Sequence, residues 1–275
     1  MKPPPFEYRR VRSIAEALAA RADASADAML IAGGQSLGPM LNLRLVRPAL
    51  LVDISAVDAL TAIDESAASV RIGACVTHAR IEDGAGAIDG LQPLARAARG
   101  IAYRAIRNRG TIGGSLAHAD PAADWPLVLS AWGAEIELAS ASGTRRVAAD
   151  SFLHGAYATA LRDGEMVAAV HVPRLSRSAR WVYRKFCRKP GEFADAAAAA
   201  LFDPERSVAR VFIGAPAARP TPLAALARDI ARKGRPALDD GAIVQACAAA
   251  LADAPAARVQ ACHVMLHRAL DEALA

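Results

Sequence analysis

The pattern of apolar and polar positions predicts short strands and helices along the whole chain. Near the N-terminus, Ser13 and Glu16 have the spacing of a capping box, in which two side chains satisfy free N–H groups where a helix begins. The apolar runs at 29–32 and 50–54 predict short buried strands on either side of a glycine-containing loop. Together these elements predict a small α/β unit.

Two further units follow. In the middle of the chain, strands are predicted at 70–74, 134–139 with a hairpin partner near 147, and 166–172, and helices at 77–83, 91–99 and 126–132. Towards the end, strands are predicted at 180–188 and 208–214, and helices at 222–233, 239–253 and 255–274. The expected fold class is α+β, with units at 1–57, 58–173 and 174–275. The pattern at 196–200 is ambiguous, because a run of alanines favours a helix by intrinsic propensity.

Two glycine pairs are flanked by small polar residues. Gly33 and Gly34 lie in LIAGGQSL, and Gly113 and Gly114 lie in RGTIGGSLAHAD. Since glycine has no Cβ and tolerates positive φ, such loops can turn backbone N–H groups toward an anion. Two loops of this kind indicate two phosphates and hence a dinucleotide, and a tight turn is the ordinary alternative for each. Neither loop has a G-x-G-x-x-G or G-x-x-x-x-G-K-[ST] pattern, which disfavours Rossmann and P-loop folds.

Two carboxylates, Asp120 and Asp124, follow the second glycine pair. Phosphates would repel them, so we expect these side chains to accept hydrogen bonds from hydroxyl or N–H groups of a larger ligand. A nucleotide that carries a sugar or sugar-alcohol chain meets this requirement.

Three motifs resemble, in order and spacing, the FAD-binding medium subunit of the molybdenum hydroxylases, the family of carbon monoxide dehydrogenase and xanthine dehydrogenase. They are AGGQS near residue 33, TIGGSLAHADPAAD near residue 113 and YRKFCRKPGEFADAAAAA from Tyr183. The resemblance implies a two-subdomain FAD-binding fold of the vanillyl-alcohol-oxidase (PCMH-like) type. A C-terminal α+β domain like that of the carbon monoxide dehydrogenase flavoprotein should follow, with a strand and not a helix at 196–200.

The resemblance also implies a function. The chain would be an oxidoreductase subunit that binds FAD, accepts electrons from an iron–sulfur subunit and passes them to an external acceptor. Molybdopterin and [2Fe–2S] clusters are then expected on a large and a small partner chain, in a cytoplasmic heterotrimer or dimer of heterotrimers. No catalytic residue and no metal site is expected in this chain. The alternatives are a self-contained FAD-dependent oxidoreductase of the same fold and a non-enzymatic module in which the glycine pairs are only turns.

The resemblance implies FAD contacts residue by residue. They are Leu30, Ile31, Ala32, Gly33, Gly34, Gln35, Ser36 and Leu37 in the first unit, Ile101, Thr111, Gly113, Gly114, Ser115, Asp120, Asp124 and Val167 in the second, and Lys185 and Phe193 in the third. Lys185 is expected to pair with a phosphate or carbonyl of the cofactor. Phe193 is expected close to the isoalloxazine ring, where family members often have tyrosine.

Composition argues against several other classes. The net charge is +5, but the arginines are scattered and aromatic residues make up only 5%, so the stacking platforms that nucleic acid needs are scarce. No segment has the roughly 18 uncharged apolar residues of a membrane span, and the N-terminus lacks the apolar segment of a signal peptide. The cysteines stand far apart without a C-x-x-C pair, which favours buried free thiols over an iron–sulfur centre.

Basic residues and histidines leave alternatives open. The basic run at 101–110 is either a solvated face or electrostatic help for a phosphate or a protein partner. His118, inside the second motif, is either a polar residue of the site lining or a general base. His263 and His267 lie four apart on a predicted helix, a spacing that can bind a metal, and a packed or solvated pair is the ordinary alternative.

Overall fold

The computed structural model, which describes residues 2–23, 27–84, 87–237 and 239–275, begins with a small parallel sheet. Its strands are β1 (Glu7–Arg10), β2 (Ala28–Ile31) and β3 (Leu50–Asp53), in the order β1-β3-β2, and its helices are α1 (Ile14–Asp23) and α2 (Leu37–Asn42). Both strand pairs are parallel. Because parallel strands end at the same edge of a sheet, the first glycine pair follows β2 at the edge where β1 and β3 also end.

The second unit is a five-stranded antiparallel sheet in the order β4-β5-β10-β6-β7. The strands are β4 (Ile63–Glu65), β5 (Ser69–Gly73), β6 (Glu135–Ser140), β7 (Gly143–Ala148) and β10 (Met166–Pro173), with a separate pair, β8 (Leu153–Gly155) and β9 (Ala158–Thr159). The helices are α3 (Asp58–Thr61), α4 (His78–Gly84), α5 (Gln92–Arg99), α6 (Arg104–Arg107), α7 (Ile112–His118) and α8 (Asp124–Trp132). The second glycine pair therefore lies in the first turn of α7.

The third unit is an antiparallel sheet in the order β11-β12-β13-β14 with three helices. Its elements are β11 (Arg180–Phe186), β12 (Ala196–Asp203), β13 (Val208–Gly214), β14 (Thr221–Pro222), α9 (Ala224–Lys233), α10 (Asp240–Ala250) and α11 (Ala256–Ala273).

The alanine-rich stretch is strand β12, as the resemblance predicts. Ala196 and Ala198 pack into the core that α11 covers, whereas Ala197 and Ala199 pack with Leu127 of α8 on the other face. Small side chains allow helices to approach both faces of the strand. Burial between two layers thus overrides the helix propensity of alanine.

One apolar core runs continuously through the first two units and includes Trp181 and Leu201 of the third, which also has a core of its own. Val52, Ile72 and Trp125 belong to the shared core, and Ile213 and Leu266 belong to the other. The three larger sheets fall one each within 1–57, 58–173 and 174–275, but the shared core does not separate the first two units, so these boundaries stay a prediction. No helix in the described ranges is long and apolar enough to cross a membrane.

Candidate functional site

The two predicted glycine loops lie against each other. We call residues 32–37 the first loop and residues 109–115 the second loop. A Cβ on Gly33 would lie 2.0 Å from the carbonyl oxygen of Arg109 and 2.9 Å from the Cα of Gly110, so only glycine allows this approach. The structure thereby joins two separately predicted loops into one surface.

The first loop presents a run of backbone donors. The N–H groups of residues 33–37 make no hydrogen bond within the part of the chain that the structure describes, although most of this loop is half-buried. Gly34 has a φ of +71°, in the left-handed region that favours glycine. Successive unpaired N–H groups in such a turn form a concavity that binds anions, and half-buried donors need a partner. The first loop therefore has the donors that a pyrophosphate requires.

The second loop uses its N–H groups internally, which corrects one prediction. Gly113 N–H donates to the carbonyl oxygen of Ala74 at 2.9 Å, and Gly114 N–H donates to Thr111 Oγ1 at 3.1 Å, which caps α7. Ser115 N–H donates to the Thr111 carbonyl at 3.0 Å. A Cβ on Gly113 would lie 2.4 Å from that of Ala74, so this glycine allows α7 to pack on the end of β5. The expectation that these N–H groups face an anion is wrong, and contact of these residues with FAD stays a prediction.

Other predicted residues of the first two units adjoin the loops. Leu30 and Ile31 are the last residues of β2 and lead into the first loop. Val167 lies in β10 near the second loop. Ala74 links the two, because its N–H donates to the carbonyl of Ala168 at 2.9 Å and its own carbonyl accepts from the Gly113 N–H. Asp120 follows α7, and its Oδ1 accepts from the N–H two residues further on at 2.9 Å. Its Oδ2 has no donor among the described residues.

Lys185 lies among the remaining predicted residues, Ile101, Asp124 and Phe193. We call this group the second cluster, to distinguish it from the two glycine loops. The ammonium of Lys185 donates to Asp124 Oδ1 at 2.9 Å and to the carbonyl oxygens of Gly100 at 3.0 Å and Glu192 at 3.1 Å. An ammonium has three donors, and all three are directed to acceptors of the protein. Pairing with a cofactor phosphate or carbonyl would break one of these bonds, so that role of Lys185 stays a prediction.

Ile101 and Phe193 lie in two segments that meet at this ammonium. Ile101 forms an isolated parallel bridge with Gly191. Gly191 has a φ of +89°, and a Cβ there would lie 2.6 Å from the carbonyl oxygen of Ala102. Phe193 is 62% exposed. An exposed aromatic ring one residue from the carbonyl that Lys185 contacts is available to a planar ligand.

Asp124 is only 5% exposed and lies in the first turn of α8. Its Oδ1 also accepts from the hydroxyl of Tyr183 at 2.7 Å, and its Oδ2 accepts no hydrogen bond from a described residue. Burial raises the pKa of Asp124, and Lys185 and Tyr183 act against that rise because they favour the charged carboxylate. The expectation that Asp124 accepts from a ligand therefore applies to Oδ2 alone.

The sequence reasoning missed Tyr183 as a member of the site. The available signal was the two-residue alternation along β11, which places Tyr183 and Lys185 on the same face of the strand.

The basic run at 101–110 is largely neutralised inside the second unit. Arg104 and Arg107 pair with Glu82 of α4 at 3.0 and 2.7 Å, and Arg107 is buried. Arg109 is exposed and makes no ion pair with the described ranges. The alternatives of a solvated face or a binding patch therefore apply to Arg109 and not to Arg107.

The histidines near the loops pack against aromatic residues. His78 Nδ1 accepts from Trp125 Nε1 at 3.0 Å, and burial, with a smaller effect of a nearby arginine, lowers the pKa of His78 to about 4. His118 lies beside Tyr157, with ring centroids 5.4 Å apart. His267 pairs with two aspartates. Among the residues described, no three His, Cys, Asp or Glu side chains group as metal ligands, and the four cysteines are free.

Comparison with known proteins identifies the family. Residues 4–175 match the family described as the FAD binding domain in molybdopterin dehydrogenase, and the chain belongs to that family. The chain is 42% identical over 201 residues to the 6-hydroxypseudooxynicotine dehydrogenase complex subunit alpha of Paenarthrobacter nicotinovorans, a match that covers 73% of this chain and 68% of that protein. It is 39% identical over 201 residues to the carbon monoxide dehydrogenase medium chain of Hydrogenophaga pseudoflava, covering 73% and 70%.

Solved structures have the same fold. A chain of carbon monoxide dehydrogenase from Hydrogenophaga pseudoflava has a TM-score of 0.91 and 33% identity, over 99% of this chain and 98% of that one. A chain of quinoline 2-oxidoreductase from Pseudomonas putida 86 has a TM-score of 0.88 and 33% identity, over 100% and 98%. The predicted family and fold are thus confirmed.

Proposed function

We propose that the chain is the FAD-binding, electron-transfer subunit of a multi-subunit molybdenum hydroxylase. It accepts electrons from an iron–sulfur subunit and passes them to an external acceptor. The observation that carries this function is the run of backbone N–H groups at 33–37, which have no partner among the described residues and which the Gly33 contact holds against the second loop.

The residues present fit FAD at two places. At the first loop, the N–H groups of residues 33–37 supply donors for the pyrophosphate. At the second cluster, Oδ2 of Asp124 can accept from a hydroxyl or N–H group, and the exposed ring of Phe193 offers an apolar face. The bound flavin supplies the electron-transfer chemistry, and the protein binds and orients it.

The relatives support a multi-subunit assembly. One is a medium chain, and another is a subunit of a dehydrogenase complex. We infer that this chain works beside a small subunit with [2Fe–2S] clusters and a large subunit with molybdopterin. The expected assembly is a cytoplasmic heterotrimer or a dimer of heterotrimers.

Titration of the FAD-free chain with FAD, followed by its visible absorption and fluorescence, tests the proposed function. Stoichiometric, non-covalent binding is expected. Gly34→Ala places a Cβ at a φ of +71°, and Gly164→Ala is a matched control because its φ is +76° and nothing lies within 4 Å of the added Cβ. Each should cost about 1–2 kcal/mol of stability, but only Gly34→Ala should weaken FAD binding.

Two outcomes would contradict the proposal. A wild-type chain that binds no flavin, even after reconstitution, would overturn the function. Equal FAD affinities for Gly34→Ala and Gly164→Ala would overturn the assignment of the pyrophosphate to the first loop.

A further inference from the structure

Tyr183 holds a position at the second cluster that none of the predicted FAD contacts accounts for. Its hydroxyl donates to Asp124 Oδ1 at 2.7 Å, and Lys185 Nζ donates to the same oxygen at 2.9 Å. The Tyr183 ring lies beside that of Trp181, with centroids 6.3 Å apart, and packs against the small apolar cluster between α8 and the third sheet. A packed ring therefore fixes the position of the hydroxyl.

Two donors on one oxygen make the carboxylate of Asp124 asymmetric. Oδ1 receives a phenolic O–H and an ammonium N–H, while Oδ2 receives no hydrogen bond from residues 2–23, 27–84, 87–237 or 239–275. A carboxylate without such partners turns easily about its terminal torsion and can offer either oxygen. In this arrangement only Oδ2 is available, and its direction is set.

We propose that Tyr183 is a positioning residue for the cofactor: together with Lys185 it fixes Asp124 so that Oδ2 is presented as the acceptor for a hydroxyl or N–H group of bound FAD. This inference rests on the proposed function, because it requires FAD at the second cluster. Tyr183 acts through Asp124.

The charges around Asp124 support this role. Burial raises the pKa of Asp124, and Lys185 and Tyr183 oppose that rise. Burial and the neighbouring carboxylate raise the pKa of Tyr183 well above its usual value, with a smaller contribution from Cys187, so the phenol stays protonated and donates. Loss of the hydroxyl would make Asp124 easier to protonate and freer to turn.

Tyr183→Phe keeps the ring and removes the donor, and Tyr8→Phe is a matched control. Tyr8 also donates to a carboxylate that pairs with a cation, since Asp53 accepts from both Tyr8 and Arg10 on strand β1 of the first sheet. In a fluorescence titration, Tyr183→Phe should weaken FAD binding about tenfold. It should also raise the midpoint potential of bound FAD. Without the hydroxyl, the Asp124 carboxylate is more easily protonated, and a less negative Asp124 opposes reduction of the flavin less strongly. Tyr8→Phe should change neither quantity.

A double-mutant cycle with Asp124→Asn separates positioning from a structural role. In the Asp124→Asn background, Tyr183→Phe should have no additional effect on FAD affinity or midpoint potential, because the acceptor is already lost. If Tyr183 and Asp124 instead contributed independently to folding, the losses of FAD affinity in the two single variants would add up in the double variant. Additive losses, or wild-type affinity and potential in Tyr183→Phe, would overturn the inference.

The remaining outcomes are also decisive. A wild-type chain that binds no FAD overturns the proposed function and this inference with it. A wild-type chain that binds FAD while Tyr183→Phe behaves as Tyr8→Phe overturns only the inference. If Tyr183→Phe does not fold, Asp124→Asn decides alone, because unchanged FAD affinity in that variant would show that Oδ2 is not a required acceptor.

Discussion

Gly33→Ala perturbs the contact that brings the two loops together. The added Cβ would lie 2.0 Å from the carbonyl oxygen of Arg109, 2.7 Å from its carbonyl carbon and 2.9 Å from the Cα of Gly110, whereas ordinary contact begins at 3.4 Å. All three neighbours are backbone atoms. No side-chain rotation can relieve the overlap, so the two loops must move apart.

We expect this movement to lower the free energy of unfolding by about 3 kcal/mol, the upper end of the usual cost of overpacking, because backbone has to shift. FAD affinity should fall more than about tenfold, since the N–H groups of the first loop lose their fixed position against the second loop. Gly38→Ala is the matched control, because Gly38 lies in α2 and nothing is within 4 Å of its added Cβ. It should be neutral or stabilise by roughly 0.5–1 kcal/mol.

Urea denaturation of the FAD-free chains measures stability, and fluorescence titration measures FAD affinity. If Gly33→Ala unfolds at the same urea concentration as Gly38→Ala, the loops are not in the contact described. If Gly33→Ala is destabilised but binds FAD like the wild type, the contact exists and does not serve the cofactor. Either result would refute the reasoning.

Two further predictions concern charged and titrating groups. Lys185→Met leaves Asp124 buried without its cation, so urea denaturation should show that the free energy of unfolding falls by about 3–5 kcal/mol. Lys189→Met is the control, because Lys189 is exposed and its loss should change stability very little. Equal losses of stability in the two variants would contradict the prediction. His78 has its pKa lowered from 6.5 to about 4, so the unfolded chain binds the proton at higher pH than the folded chain. Its contribution to stability is complete above pH 6.5 and falls by up to about 3 kcal/mol as the pH drops toward 4. Urea denaturation between pH 7 and 4.5 should show this fall. If the free energy of unfolding of His78→Gln depends on pH as steeply as that of the wild type, the prediction is wrong.

The glycine motifs show how far sequence reasoning reaches at this site. Some glycines are required because a Cβ would meet a ligand, and others because a Cβ would meet the protein itself. The sequence does not distinguish the two kinds. Gly33 and Gly113 are both of the second kind, because a Cβ would meet Arg109 in one case and Ala74 in the other. The donors available to an anion are found instead from the fold, in which the N–H groups of residues 33–37 have no partner in the described part of the chain.

The second cluster was predicted as a set of residues and not as a network. The resemblance supplies Asp124 and Lys185 as separate contacts, 61 residues apart in sequence. That they bind each other depends on how α8 packs against the third sheet across two units, and local sequence patterns carry no information on such packing. The alternation along β11 places Tyr183 on the face of Lys185, but its hydroxyl becomes a donor to the carboxylate only when that packing brings Asp124 beside it.

The first loop and the second cluster differ in the kind of group that they offer to a ligand. The first loop offers backbone N–H groups, which most substitutions leave in place, so it can anchor phosphate whatever side chains surround it. The second cluster depends on the side chains of Asp124, Lys185 and Tyr183. On the proposed function, we therefore expect substitutions in the second cluster to change the electronic properties of bound flavin while the phosphate donors of the first loop stay in place. If FAD binds there as proposed, Asp124 Oδ2 is the acceptor that this cluster offers, because the nearby Phe193 has no hydroxyl.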